Sequence, residues 1–312
     1  MAQLILGNDR CYEPSFYSMI MRGFHRWNRN ATSERSWCVY NGMGLDKRTL
    51  LLSQGVEENA ICLERNPFYF REEDPPDTFY NLYRICMRSL CYEKSFPMCF
   101  PTIRGRFRQL QKQYSLRDIV PWHISKQGRV YVFLNYNEGF WAGVSVPEVF
   151  EETHDSVDTE WARKSIALIE TALRFSHRDV VIKWHPLTKH TRSDASSLFI
   201  RYSRNPRVTF SSKKERLCDI VDDLSYAVMY AGSSFIPLAM MGKPCVVIRE
   251  SSDTWFSKTC LLDPSLMQNE TNMLNALPEQ REALDFIASQ TFGRDEIESG
   301  ELFEQVDNHL RV

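Results

Sequence analysis

From Val130 onward the chain alternates short apolar runs with helical stretches, and this alternation restricts the folds open to it. The apolar runs are RVYVFLN, DVVIKW, RVTF, YAVMYAG and KPCVVI, and the clearest helical stretch between them is TEWARKSIALIETALRFS. Strands separated by helices pair in parallel, because each crossover returns the chain to the same end of the sheet. Helices then cover both faces. We therefore predict a doubly wound α/β domain in this half.

The first half shows the same alternation less regularly. Strands are predicted at AQLILG, SWCVYNG and AICLER, with a helix at EPSFYSMIMRGFHRWNR. Aromatic, arginine and proline residues then obscure the pattern, apart from helix-like pieces near 80–90 and 105–113. We therefore predict two Rossmann-like α/β domains that face each other across a cleft, over residues 1–120 and 121–280. Residues 281–312 are expected to form C-terminal helices that pack back on the first domain.

The composition is typical of a globular chain with reduced thiols. Hydrophobic residues make up 43% and charged residues 25%, and the net charge of −2 gives no strong field toward nucleic acid or an anionic membrane. The nine cysteines include no CxxC pair, which favours a cytoplasmic protein without a zinc site. The sequence contains no apolar run long enough for a membrane span and no signal-peptide pattern at the N-terminus.

The segment VVIKWHP places a histidine directly after a buried strand. Ligands of open parallel sheets bind at the carboxyl ends of the strands, and Pro186 ends the strand because it has no N–H to donate. His185 on such a turn can donate to a phosphate oxygen or titrate near neutral pH. Lys183 and Lys189 would add positive potential. A purely structural histidine is the alternative.

The segment YAGSSFIPLAMMGKP is the second candidate. Gly232 permits a tight turn between strand and helix, and serine is a favoured helix N-cap. The N–H groups at the helix start, together with the Ser233 and Ser234 hydroxyls, predict an anion site. An ordinary cap is the alternative, and it explains one serine better than two. Glu138 follows the strand at 129–135 and is placed to bind a sugar hydroxyl, unless it is a simple loop residue.

Together, VVIKWHP and DDLSYAVMYAGSSFIPLAMMGKPCVV resemble the nucleotide-sugar half of GT-B glycosyltransferases, especially bacterial capsule-polysaccharide transferases of the Kdo type. They are also similar to bacterial sialyltransferases with an HP motif. The likeness covers residues 129–312 and includes the terminal DEIESGELFEQV. It implies that His185 with Pro186, and Ser233 with Ser234, contact the donor nucleotide and its phosphate. It also suggests a CMP-linked donor.

The segment ICLERNPFY resembles an acidic Glu-Asp-Gly-Phe segment in the acceptor domain of the capsule enzymes, with Arg65 and Asn66 in place of Asp-Gly. The resemblance implies that Glu64 is the general base that takes the acceptor hydroxyl proton. Asp9 and Asp46, also near predicted strand ends, are rivals. No DxD motif lies on a loop between strands, and Asp222–Asp223 falls in a predicted surface helix. We therefore expect no metal and no cofactor beyond the donor.

Other functions stay open at this stage. The chain fits a nucleotide- or polyanion-binding protein without catalysis, and an epimerase of the GT-B architecture. It also fits a transferase that acts on modified nucleic-acid bases, which the basic stretch from Arg104 to Arg117 favours and the net charge of −2 disfavours. The expected partners are a nucleotide sugar and a glycan or other hydroxyl acceptor in polysaccharide synthesis. Peripheral membrane association also stays open.

Overall fold

The computed structural model describes residues 4–6, 14–30, 37–41, 60–65, 68, 82–85, 100–135, 159–186, 188, 193–212, 215–230, 232–248 and 254–309. The chain divides into two compact units, Met1–Arg117 with Asp285–Val312, and Asp118–Leu284. The domain ranges predicted from the sequence stay predictions. None of the helices described is both long enough and apolar enough for a transmembrane span.

The described residues form ten strands and eleven α-helices, numbered here along the chain. The strands are β1 (Leu4–Leu6), β2 (Trp37–Asn41), β3 (Ala60–Arg65), β4 (Leu82–Ile85), β5 (Arg129–Phe133), β6 (Val180–Lys183), β7 (Val208–Phe210), β8 (Leu224–Met229), β9 (Cys245–Val247) and β10 (Thr291–Gly293). The helices are α1 (Pro14–Asn30), α2 (Arg106–Tyr114), α3 (Glu160–Phe175), α4 (Ser193–Tyr202), α5 (Leu217–Ile220), α6 (Phe235–Met240), α7 (Thr254–Thr259), α8 (Glu270–Ala276), α9 (Gln280–Ser289), α10 (Arg294–Ser299) and α11 (Glu301–His309). A 3-10 helix spans Pro264–Gln268.

The first unit is built on a mixed sheet in the order β1-β2-β3-β4-β10. β1, β2 and β3 are parallel, whereas β4 runs antiparallel to both β3 and β10. Helix α1 buries an apolar stripe at helical spacing, which packs with residues of α10 and α11 in one core. The stripe consists of Phe16, Met19, Ile20, Phe24 and Trp27.

Strand β4 corrects the helix predicted near residues 80–90. Leu82 and Tyr83 are buried, and Tyr83 pairs with Phe292 of β10. The apolar spacing of this segment fits a helix as well as a strand, so local periodicity does not distinguish the two structures. The segment forms a strand because it hydrogen-bonds to β3 on one side and to β10, from the far end of the chain, on the other.

The second unit contains a fully parallel sheet in the order β7-β6-β5-β8-β9. Counted along the chain, this is the order third, second, first, fourth, fifth, which is that of a Rossmann fold. The predicted α/β fold is thereby confirmed, and the parallel sheet lies where the alternation placed it.

Helix α3 forms as its sequence predicts and covers one face of this sheet. Thr159 caps its start, accepting a hydrogen bond from the N–H of Ala162 at 3.2 Å. Its buried residues recur at helical spacing and pack on the strands. Each large apolar side chain so buried contributes roughly 1.5–3 kcal/mol of transfer free energy. The packing fixes the ends of β5 and β6, between which α3 crosses.

Candidate functional site

Strands β5, β6 and β8 end side by side at the carboxyl edge of the second sheet. Phe133 of β5 pairs with Lys183 of β6 on one side and with Met229 of β8 on the other, so these residues are level. β6 and β8 are therefore two interstrand spacings apart, about 10 Å. The order of the sheet reverses between β5 and β8, and ligands of such sheets bind outside the carboxyl ends at that point.

His185 lies at this edge, two residues after β6. Its carbonyl oxygen accepts a hydrogen bond from the N–H of Thr188 at 2.9 Å, which closes a turn with Pro186 as its second residue. Proline is favoured there because its fixed φ suits the turn. The ring is half-buried, and burial together with the positive charge of Lys183 lowers the pKa of His185. The neutral imidazole is therefore favoured at neutral pH, and a bound anion would oppose this shift.

Lys183 is buried, with 6% of its surface exposed. Its Nζ donates to the carbonyl oxygen of Ser212 at 3.3 Å. Burial lowers the pKa of Lys183, and the charges of Glu215 and Asp219 oppose this. The ammonium group thus has a protein partner and acts on the ring of His185 through its charge. Its predicted contact with the donor stays a prediction.

Gly232, Ser233 and Ser234 form the turn from β8 into α6. The φ of Gly232 is +129°, a conformation that side-chain-bearing residues rarely adopt, and a Cβ added to it would meet no heavy atom within 4 Å. Ser234 is the N-cap of α6, but its side chain makes no capping hydrogen bond. The ordinary-cap interpretation therefore does not account for the Ser234 hydroxyl. The backbone is open on the side of Gly232.

Helix α6 contributes less to an anion site than the sequence interpretation expected. It has six residues, so its macrodipole is small. In its first turn the N–H of Ile236 donates to the carbonyl oxygen of Ser233 at 3.1 Å and Pro237 has no N–H, so these two residues offer no donor to an anion. All of its residues are buried. Burial holds the Gly-Ser-Ser turn in place, so the hydroxyls and N–H groups, more than the dipole, define what this turn can bind.

Trp161 is a positioning residue that the sequence interpretation missed. Its Nε1 donates to the carbonyl oxygen of Asn135, just past β5, at 2.9 Å. Its ring stacks on Trp184, with centroids 6.5 Å apart and planes 16° apart. One side chain thus ties together the exits of β5 and β6. The only sequence signal was a tryptophan in the first turn of a helix that follows a strand.

The predicted site residues do not all fall within the described part of the chain. Asp9, Asp46, Glu138 and Lys189 lie outside the described residues. Glu64 lies on β3 in the first unit, paired in register with Arg84, and its backbone alone is described. These roles stay predictions.

Asp223 corrects the predicted surface helix at 213–224. Helix α5 ends at Ile220, and Asp223 lies in the turn before β8. Asp223 Oδ2 accepts from Arg129 Nε at 2.8 Å and from the Tyr131 hydroxyl at 2.6 Å. Burial alone would raise the pKa of Asp223, but these hydrogen bonds and the charge of Arg129 outweigh it and the pKa is lowered. This carboxylate joins β5 to β8 at the amino edge of the sheet.

The basic stretch from Arg104 to Arg117 is partly structural. The guanidinium of Arg106 is buried, lies 2.5 Å from Glu296 and donates to the carbonyl oxygen of Thr291 at 3.2 Å. One of the cations assigned to a nucleic-acid surface is therefore neutralised inside the first unit.

The second unit contains free cysteine thiols. Cys245 and Cys260 are buried free thiols, and Cys218 is a half-exposed one. Burial and a hydrogen bond with Cys260 raise the pKa of Cys245, so it is a poor nucleophile. No group of three or more His, Cys, Asp or Glu side chains is placed to hold a metal ion within the described ranges.

Comparisons with known proteins give distant structural likenesses. No protein-family model matches the chain, and no curated protein matches it. Among similar solved structures are two of KpsC from Thermosulfurimonas dismutans. The β-Kdo 2,4 transferase has a TM-score of 0.46 and 9% identity, and 99% of each chain is covered. The β-Kdo 2,7 transferase has a TM-score of 0.45 and 10% identity, and 98% of this chain and 99% of that one are covered.

A third is Anabaena HepE, solved in complex with UDP and glucose. It has a TM-score of 0.34 and 9% identity, and 98% of this chain and 100% of that one are covered. With TM-scores below 0.5, these likenesses carry no argument about activity or residue roles.

Proposed function

We propose that this chain is a glycosyltransferase that binds a nucleotide-sugar donor at the carboxyl edge of its second sheet. The observation that carries the proposal is the placement of two donor groups on level strands on either side of β5. His185 follows β6, and the open Gly232–Ser234 turn follows β8. The order of the motifs VVIKWHP and YAGSSFIP, which resembles that of GT-B transferases, supports the same function.

The chemistry of the site suits a leaving phosphate. When the glycosidic bond to the donor breaks, negative charge gathers on the phosphate oxygens. The imidazole of His185, the hydroxyls of Ser233 and Ser234 and the N–H groups of their turn are hydrogen-bond donors that stabilise this charge. Removal of one such donor typically lowers the rate by about 10²- to 10³-fold. No metal is assigned a role in this proposal.

The remaining step is removal of the acceptor proton. A carboxylate deprotonates the acceptor hydroxyl, and the oxygen then attacks the anomeric carbon as the nucleotide departs. We assign this role to Glu64, with Asp9 and Asp46 as rivals. The finer assignments rest on the sequence resemblance alone: a CMP-linked donor, a glycan acceptor, polysaccharide synthesis and a cytoplasmic location. The ion pair of Arg106 with Glu296 removes one cation from the basic stretch that favoured transfer to nucleic-acid bases.

Thermal unfolding with CMP-, UDP- and GDP-linked sugars tests the donor site. A nucleotide sugar at one hundred times its Kd stabilises the protein by about 2.7 kcal/mol, which raises Tm by roughly 5–10 °C. His185→Ala should weaken this binding by about tenfold to a hundredfold, the cost of one hydrogen bond to a charged group. The matched control is His177→Ala, an exposed histidine in the same unit, which should bind like the parent.

Donor turnover separates an enzyme from a binding protein. Nucleotide release above background in the presence of hydroxyl acceptors supports transfer, and its loss in Glu64→Gln supports that residue as the base. Binding of a nucleotide sugar without any nucleotide release would indicate a nucleotide-binding protein without transferase activity. No stabilisation by any of the three nucleotide classes would overturn the proposal.

A further inference from the structure

Helix α4 presents two large apolar side chains to solvent. Ile200 is 70% exposed and Phe199 is 50% exposed, and no other large apolar residue in the described ranges is more exposed. Phe199 is fixed in this position, because its ring packs on Phe210 with centroids 4.8 Å apart. Burial of such exposed apolar surface against a partner is favourable.

Arginines flank these apolar residues. Arg201 lies in the last turn of α4, next to Ile200, with 54% of its side chain exposed, and Arg204 is exposed just after the helix ends. α3 packs against α4 and adds the exposed Arg174 in its last turn. We call Arg174, Phe199, Ile200, Arg201 and Arg204 the apolar-basic surface.

The acidic group in this surface does not cancel its charge. Glu170 accepts from the Tyr202 hydroxyl at 2.7 Å and lies 3.6 Å from Arg201. Arg174 is one helical turn after Glu170 and therefore lies on the same face of α3. The surface carries three arginines and one carboxylate, so it has a net positive charge although the whole chain has a net charge of −2.

Favourable interaction with the helix dipoles explains part of this pattern. Arg174 and Arg201 lie in the last turns of α3 and α4, where cations are stabilised. The dipole does not explain Arg204, which lies beyond the helix, nor the exposure of Phe199 and Ile200 between the arginines. Exposed apolar side chains beside arginines match the interface of an anionic bilayer, where rings and alkyl groups enter the acyl boundary and arginines meet phosphate headgroups.

We propose that the apolar-basic surface docks the protein on an anionic lipid bilayer. Crossover helices run opposite to parallel strands, so the C-terminal ends of α3 and α4 lie toward the amino edge of the second sheet. His185 and the Gly232–Ser234 turn lie at the carboxyl edge. Phe199 packs on Phe210, the last residue of β7, so the apolar part of the surface reaches from the amino edge toward the carboxyl edge. Docking does not depend on what the donor site binds.

Co-flotation of the full chain with lipid vesicles tests the proposal. The chain should float with vesicles that contain about one third phosphatidylglycerol and not with pure phosphatidylcholine, and added salt should weaken the binding. Arg201→Gln with Arg204→Gln should lower the partition coefficient by about 30-fold, roughly fivefold per arginine. Phe199→Ser with Ile200→Ser should lower it by about tenfold.

Matched controls separate docking from general effects of substitution. Ile103→Ser removes another exposed apolar side chain, 49% exposed, and Arg281→Gln removes another exposed arginine. Both should float like the parent, and so should His185→Ala. Equal binding to both vesicle types, no binding to either, or equal losses in the controls would overturn the proposal. A further result would also overturn it: no vesicle binding, together with self-association that Phe199→Ser with Ile200→Ser abolishes. A second copy of the chain would then occupy this surface.

Discussion

The indole Nε1 of Trp161 donates a hydrogen bond to the carbonyl oxygen of Asn135 at 2.9 Å. This bond connects the first turn of α3 to the chain just past β5, at the edge where His185 and the Gly232–Ser234 turn lie. A residue outside the candidate site can therefore influence it by holding the exit of the central strand.

Trp161→Phe is expected to loosen that exit. It removes the hydrogen bond and retains most of the stacking on Trp184, so the free energy of unfolding should fall by about 0.5–1.5 kcal/mol. Trp122→Phe is the matched control, because Trp122 Nε1 makes the same kind of bond to the carbonyl oxygen of Pro278 at 3.0 Å. Urea denaturation should show similar losses, while titration with the stabilising nucleotide should show weaker binding only in Trp161→Phe. Equal nucleotide affinities would contradict the positioning role.

Lys183→Met is expected to raise the pKa of His185. Burial and the Lys183 charge both lower that pKa, and the substitution removes only the charge. The pKa should therefore rise and stay below the ordinary value of 6.5. NMR titration of the imidazole resonances in the parent and the variant measures it. An unchanged or lower pKa in Lys183→Met would contradict this assignment.

The same depressed pKa makes stability depend on pH. The unfolded chain protonates His185 more readily than the folded protein does, so this group destabilises the fold as pH falls below the ordinary histidine pKa. In the parent the stability lost by acidification should therefore exceed that in Lys183→Met. Urea midpoints measured across this pH range provide the comparison.

Asp223→Asn is expected to flatten the acid limb of stability. The folded pKa of Asp223 is lowered, so its contribution is present above the unfolded value, near 3.8, and is lost as pH falls through the folded value. At neutral pH the variant should be less stable than the parent, and the difference should shrink as the pH drops. The exposed neighbour Asp222→Asn is the control. A difference independent of pH would show that the pair with Arg129 does not set this dependence.

Gly23→Ala is expected to separate α1 from α10. A Cβ at Gly23 would lie 1.9 Å from the carbonyl oxygen of Ile297, a backbone atom that cannot rotate away. Overpacking of this kind costs about 1–3 kcal/mol, which exceeds the roughly 1 kcal/mol that alanine adds in helix propensity. Gly105→Ala is the comparison, because its φ of +83° is strained for alanine but its Cβ would meet nothing within 4 Å. Urea midpoints should fall further for Gly23→Ala, and the reverse order would contradict this packing.

Features that depend on local spacing were predictable from the sequence. The period of α1 and α3, the apolar runs of β5, β6 and β8 and the His-Pro turn all record which residues are buried within a few positions of one another. The parallel sheet followed from their alternation, because short crossovers leave few topologies.

Pairing between distant segments was decided by the tertiary structure. β4 became a strand because β10 supplies its second neighbour, and Arg106 became a buried ion-pair partner because Glu296 lies beside it. The sequence put His185 and Ser234 at strand ends, but only the register through Phe133 made those strand ends level. A sequence pattern reports whether a side chain is buried. Its partner depends on backbone hydrogen bonds and packing between residues far apart in the chain, which no local period encodes.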